Sequence, residues 1–182
     1  MKYKFKINIS DNDYLEYNKF HMLRSPYGKK SLSSLRLTLC AIVIAISFIS
    51  LIGQGFSADS VITVIPVIIV LILAQIFLKK FLEISIKASV SQLKRKGKMA
   101  YSQSSMIEFF DDGFMETARE QRLEQKYSSI ERISVIEGKY VYLHVNNIMA
   151  FIIPNTAFDS HEQYKEFISF MNEKCPNIDF YK

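Results

Sequence analysis

Residues 37–78 contain no lysine, arginine or glutamate, and Asp59 is the one ionised residue among them. A core helix of a soluble protein keeps a polar stripe on one side, and the apolar runs in this block keep none, which argues against a buried hairpin. A cleavable signal peptide fits no better, because the first run begins beyond residue 35 and no convincing small-residue cleavage site follows it. Cysteine is also scarce. Cys40 and Cys175 are too few for a disulfide framework and behave as two unpaired small hydrophobes. The three histidines, His21, His144 and His161, have no partners at metal-ligand spacing, and no Cys-x-x-Cys, His-Glu-x-x-His or glycine-rich phosphate loop occurs.

Reactive constellations are missing too. Asp159, Ser160 and His161 are consecutive, but a catalytic triad is defined by converging geometry, and helix capping explains the first two. Asp111 and Asp112 form a carboxylate pair, the raw material of acid–base work, yet they precede Gly113 and read as a turn. The expectation is a protein that is not an enzyme, with no catalytic, cofactor or metal site.

What is present is a pair of membrane-length apolar runs, LTLCAIVIAISFISLIG at 37–53 and VITVIPVIIVLILAQIFL at 61–78. Each is near the roughly 20 residues that cross a hydrocarbon core of about 30 Å, and Phe81 and Leu82 make up the second run's shortfall. Residues 1–36 carry eight Lys/Arg against three acids, residues 79–100 carry seven against one, and the link at 53–60 carries no basic residue. Basic residues stay on the cytoplasmic side, so both termini are expected inside and the link outside. Ala41 and Ala45 permit close helix contact, within the hairpin or in a homo-oligomer. Pro66 is placed to kink the second span, and Gln75 is its lone strongly polar interior residue, too little for an ion pathway.

From residue 101 onward the texture is that of short strands and turns. SMIEFF, FMETARE, a less regular RLEQKY, SSIERISVI, KYVYLHV and IMAFIIP give six strands. The Asp112-Gly113 step is expected to supply the positive φ of a tight hairpin. Glu137-Gly138 and Asn146-Asn147 mark further turns, and Pro154 ends the last strand. A terminal helix follows, capped by Asp159 or Ser160 with Glu162 or Gln163 three residues on. Tyr164, Phe167, Ile168, Met171 and Cys175 form its apolar face. At the other end of the chain KYKFKINI, residues 2–9, alternates lysine with Tyr3, Phe5, Ile7 and Ile9. It reads as a seventh, half-buried strand that joins the later sheet. Between it and the first span, Ser10 with Asp13 opens a helix that is expected to break at Pro26 and Gly28. The domain plan is therefore a strand and juxtamembrane helix at 1–36, a transmembrane hairpin at 37–78, a basic segment at 79–100, and a β domain with a C-terminal helix at 101–182.

YSSIERISVIEGKYVYLHVNNIMAFIIPNTAF at 127–158, with DNDYLEYNKFH at 11–21 and the central hairpin, resembles the YcxB-like family of bacterial membrane proteins. The resemblance implies an α+β membrane protein of the bacterial cytoplasmic membrane, in which a pleckstrin-homology-like, seven-stranded bent sheet is closed by a C-terminal helix. Family members commonly place a basic residue after the proline of the I-I-P segment. Here Asn155 and Thr156 follow, which weakens phosphate binding by that loop. The family supplies no activity to carry over.

The strongest interaction signal is basic: Lys79, Lys80, Lys87, Lys94, Arg95, Lys96 and Lys98, each gaining on the order of 1 kcal/mol from anionic lipid at a cytoplasmic surface. Nucleic acid is disfavoured, because residues 101–182 hold thirteen acids against eight bases and the cations crowd the membrane. The leading expectation is a membrane-anchored, cytoplasmic protein-interaction domain with a lipid bilayer and an unnamed protein as partners. Two alternatives are an immunity factor against a membrane-active peptide, or an accessory to export, and an anionic-lipid-responsive sensor.

Overall fold

The computed structural model describes residues 2–54, 58–97, 101–119, 121–146 and 149–182. The fold is α+β, with two long apolar helices and two four-stranded sheets, and the chain divides into two compact units, Met1–Tyr14 with Met99–Lys182, and Leu15–Lys98.

The first unit contains both sheets. Strand β1 (Tyr3–Asn8) pairs antiparallel with β2 (Ser104–Phe109), and β3 (Gly113–Ala118) and β4 (Arg122–Lys126) complete the order β1-β2-β3-β4. In the register Tyr3 faces Phe109 and Phe5 faces Ile107. The alternation of β1 explains the pairing: Phe5 and Ile7 are buried on one face, while on the other Lys4 Nζ lies 2.8 Å from Glu108 Oε1 on its cross-strand neighbour. The second sheet has the order β7-β6-β5-β8, from β5 (Arg132–Ile136), β6 (Tyr140–His144), β7 (Ala150–Pro154) and β8 (Ile178–Tyr181). Strand β8 follows the terminal helix and runs parallel to β5. It is a strand beyond the seven expected, so the described residues of this unit form eight strands.

Helix α4 (His161–Lys174) closes the core. Phe167 is fully buried, its ring 5.4 Å from Tyr3, 5.0 Å from Phe5 and 4.9 Å from Phe109, while Phe114 meets Phe151 across the two sheets at 4.9 Å. These edge-on aromatic contacts add to the apolar area removed from water. Ser160 caps the helix by accepting from Gln163 N at 3.1 Å, and Gln163 Oε1 accepts from Asp159 N at 2.7 Å. The buried face is Phe167, Phe170 and Met171, with Tyr164 and Ile168 at its margin.

Turn chemistry departs from expectation at one glycine. Positive φ belongs to Gly138, at 67°, and not to Gly113. Gly113 is needed for a different reason: a Cβ there would sit 2.3 Å from the Gln125 carbonyl oxygen on β4. Tyr127–Ser129, expected to end one strand and begin the next, is a 3₁₀ turn that precedes β5. The Asn146 side chain accepts from Met149 N at 2.7 Å, and Asn147 lies outside the described residues.

The second unit is helical. Helix α1 (Asp11–Lys19) begins in the first unit and continues here into a π-helical turn at Phe20–Arg24. Helices α2 (Pro26–Gln54) and α3 (Ala58–Arg95) follow. The first helical stretch ends at Arg24, at the break expected near Pro26 and Gly28, and those two residues then open the next helix. Ser25 is extended and its Oγ accepts from Gly28 N at 3.0 Å, so Pro26 occupies the first helical position, where its missing N–H costs nothing. Gly28 is required because a Cβ would lie 2.4 Å from the His21 carbonyl oxygen.

Both α2 and α3 are long and apolar enough to cross a membrane. They pack on each other, and Leu32, Arg36, Cys40, Val43 and Ser47 on α2 and Val67, Leu71, Gln75 and Leu78 on α3 are buried or half-buried. Their spacing of three and four residues is that of left-handed helix pairs. Gln75 Nε2 donates to the Arg36 carbonyl at 3.3 Å, so the polar residue of the second span serves the helix contact. Ala41 and Ala45 are exposed on the opposite side of α2, and the hairpin does not use them. Helix α3 continues through Pro66.

Candidate functional site

Helix α3 does not stop where the apolar run ends. Seventeen further residues, 79–95, remain helical, a length of about 25 Å. The sequence sustains this because Leu78, Leu82, Ile86, Val90 and Leu93 repeat at helical spacing and are buried or half-buried, with no glycine or proline before Gly97. Gly97 then ends the helix at φ 63°, its N–H donating to the Lys94 carbonyl at 3.0 Å. Lys94 and Arg95 in the last turn complement the negative end of the helix dipole.

Lys79, Lys80, Lys87, Lys94 and Arg95 all project from this extension as exposed side chains, Lys96 is exposed in the turn beyond it, and Lys98 lies outside the described residues. Spacing by seven places Lys80, Lys87 and Lys94 in one stripe along the helix. Lys79 and Lys96 point elsewhere around the axis, so they are not part of that stripe. Among the described residues, Lys79, Lys80 and Lys87 form no ion pair with a carboxylate. The helical unit, residues 15–98, carries twelve Lys/Arg against three acids, whereas the rest of the chain carries eleven against fifteen.

Three residues were overlooked as part of this face. Phe77, Phe81 and Ile84 are 55%, 65% and 60% exposed, and their spacing of four and three puts them in a stripe beside the lysines. That period was legible in IFLKKFLEISIK, but the sequence reading used Phe81 only to lengthen the span.

A second polar cluster occupies the first unit. At the start of α1, Ser10 N donates to Asp13 Oδ2 at 2.8 Å and Asp13 N donates to Ser10 Oγ at 3.2 Å, a reciprocal capping box. The other oxygen of Asp13 accepts from the Tyr140 hydroxyl of β6 at 2.7 Å, and Asp11 accepts from Tyr101 at 3.1 Å, with Tyr14 stacked on Tyr101 at 4.6 Å. Burial pushes the Asp13 carboxyl up, but the hydrogen bonds from Ser10 and Tyr140 outweigh it and hold the group below its ordinary value. Burial, then the Asp11 carboxylate, push Tyr101 up to about 12. These groups pin α1 to the sheet and bring together no nucleophile with a base. Of the two tyrosines on β6, Tyr142 is core at 1% exposure and Tyr140 is engaged by Asp13.

No curated protein and no solved structure matches the chain. The model of the YcxB-like protein family matches it over residues 109–171, from the end of β2 into α4.

Proposed function

We propose that this chain is a membrane-anchored interaction protein of the bacterial cytoplasmic membrane, in which a pleckstrin-homology-like domain is interrupted by a two-span hairpin and recruits a protein partner at the inner surface. The observation that carries the reading is the β1–β2 ladder. Its two strands flank the hairpin in sequence and pair in register from Tyr3 with Phe109 to Asn8 with Ser104. A hairpin inserted between two paired strands must return to the side it left. The basic residues at both ends of the hairpin then favour the cytoplasmic side for the termini.

The pleckstrin-like assignment draws on the order of elements: four antiparallel strands, three more, then a helix whose Phe167 enters the core. Strand β8 is an addition to that order. The excess of acids in residues 101–182 suits a basic protein surface better than a phosphate ligand. Chemical crosslinking in native membranes, followed by purification of the intact protein, tests the proposal. Recovery of one stoichiometric protein partner is the expected result, and recovery of lipid or of this chain alone overturns the adaptor reading.

A further inference from the structure

We infer that α3 carries a binding face for anionic phospholipid headgroups, made by Lys80, Lys87 and Lys94 with Phe77, Phe81 and Ile84; the inference rests on the membrane-spanning reading above. Two observations carry it. The first is exposure: Phe77, Phe81 and Ile84 lie 55–65% open to the surroundings on consecutive turns, just where the apolar run gives way to lysine. A helix that ended its membrane contact at Leu78 would gain nothing from exposing two phenyl rings and an isoleucine around and beyond it. The second is charge. Lys80 and Lys87 have no carboxylate partner among the described residues, and Glu83 is the single acid between residues 79 and 97. In the first unit, by contrast, Lys2, Lys4 and Arg132 each lie within 4 Å of a carboxylate.

The arrangement suits a leaflet surface. Ile84 sits between Lys80 and Lys87 along the helix, so apolar side chains can enter the acyl region while the lysine stems reach outward to headgroups. Successive lysines of the stripe are about 10 Å apart at seven residues per step. That spacing serves a row of separate headgroups, whereas a free phosphate ion needs donors converging on one point.

The chain contains no tryptophan, so Phe81→Trp installs a single indole reporter on this face. The full-length variant is reconstituted in vesicles of mixed phosphatidylcholine and phosphatidylglycerol, with brominated acyl chains on one lipid or the other. The expected result is quenching by brominated phosphatidylglycerol that exceeds quenching by brominated phosphatidylcholine by at least about twofold at equal mole fraction. The preference should vanish on adding Lys80→Gln, Lys87→Gln and Lys94→Gln, and should shrink with salt in the Phe81→Trp protein that keeps its lysines. Equal quenching by the two lipids overturns the inference and leaves the spanning reading intact; no quenching by either overturns both. Should the lysine-substituted protein fail to reconstitute, the salt series decides, and a preference that salt does not weaken overturns the inference. Loss of the preference on adding inorganic phosphate at fixed ionic strength also overturns it, because the ligand would then be the free anion.

Discussion

The two units of this chain treat the same residue types in opposite ways. In the β unit, the rings of Tyr3, Phe5, Phe109 and Phe158 converge on the buried Phe167, although Phe180 stays 70% exposed, and Lys4 and Arg132 lie against Glu108 and Asp179 on neighbouring strands. In the helical unit, Ile44, Ile49 and Val70 are 68%, 69% and 64% exposed, while Lys79, Lys80 and Lys87 have no acidic partner among the described residues. A water-facing body must hide apolar surface and can balance its charges internally. A bilayer-facing body, as the helical unit is proposed to be, leaves apolar surface outside and can hold cations for an external anion, although Lys19 pairs with Glu16 at 2.7 Å within it. The contrast is the one that the membrane-spanning reading proposed above requires of its two units.

The largest way to break the comparison is to attack the closed core. Phe167→Ala removes a fully buried ring packed on four aromatic neighbours, and a loss of about 3–5 kcal/mol is expected in denaturant unfolding of the β unit's signal. Gly28→Ala strikes the helical unit, because the added methyl meets the His21 and Met22 backbone at 2.4–2.5 Å. A cost of about 1–3 kcal/mol is expected, read as a lower melting temperature of the helical signal with the β signal unchanged. If both signals fell together, the units would not be energetically separate. Ser160→Ala removes the α4 cap, at about 1 kcal/mol, and Ser160→Asp should restore most of it.

The smallest effect sharpens the comparison through pH. The Asp13 carboxyl is held below its ordinary value of 3.8 in the folded chain. Its contribution to stability is therefore fully present above that value and is lost as pH falls through the lower, folded value. Asp13→Asn should be less stable than the parent near neutrality, and the two should converge in acid. A gap that stays constant across the acid range would assign the effect of Asp13 to something other than its charge.

Much of this architecture was legible because it rests on local pattern. The lysine alternation of β1, the apolar runs at 37–53 and 61–78, and the Ser160–Gln163 cap each state their structure in local sequence. What escaped depends on distant neighbours. Strand β8 is four residues long, and its partner β5 lies more than forty residues upstream in parallel register, so no turn announces it. Gly113 was assigned the right place for the wrong reason, since its requirement comes from Gln125 on the next strand and not from its own φ. Pro26 has two meanings, breaker or first helical residue, and here it has both, since one helix ends before the extended Ser25 and the next begins at Pro26. For the candidate site, the lysines were visible as a cluster, but only the continuation of α3 to Arg95 separates the stripe of Lys80, Lys87 and Lys94 from the rest.

The central claim is that one sheet is built from strands on either side of a membrane hairpin, and side-specific thiol labelling tests it most directly. With Cys40→Ser and Cys175→Ser as background, single cysteines at Lys4, Asp59 and Glu108 are exposed to a membrane-impermeant maleimide on intact cells. Labelling of Asp59→Cys in intact cells, with Lys4→Cys and Glu108→Cys reacting only after permeabilisation, is the predicted result. Labelling of Lys4→Cys and Glu108→Cys from opposite sides of the membrane would contradict the account, because strands on opposite sides cannot form the β1–β2 ladder.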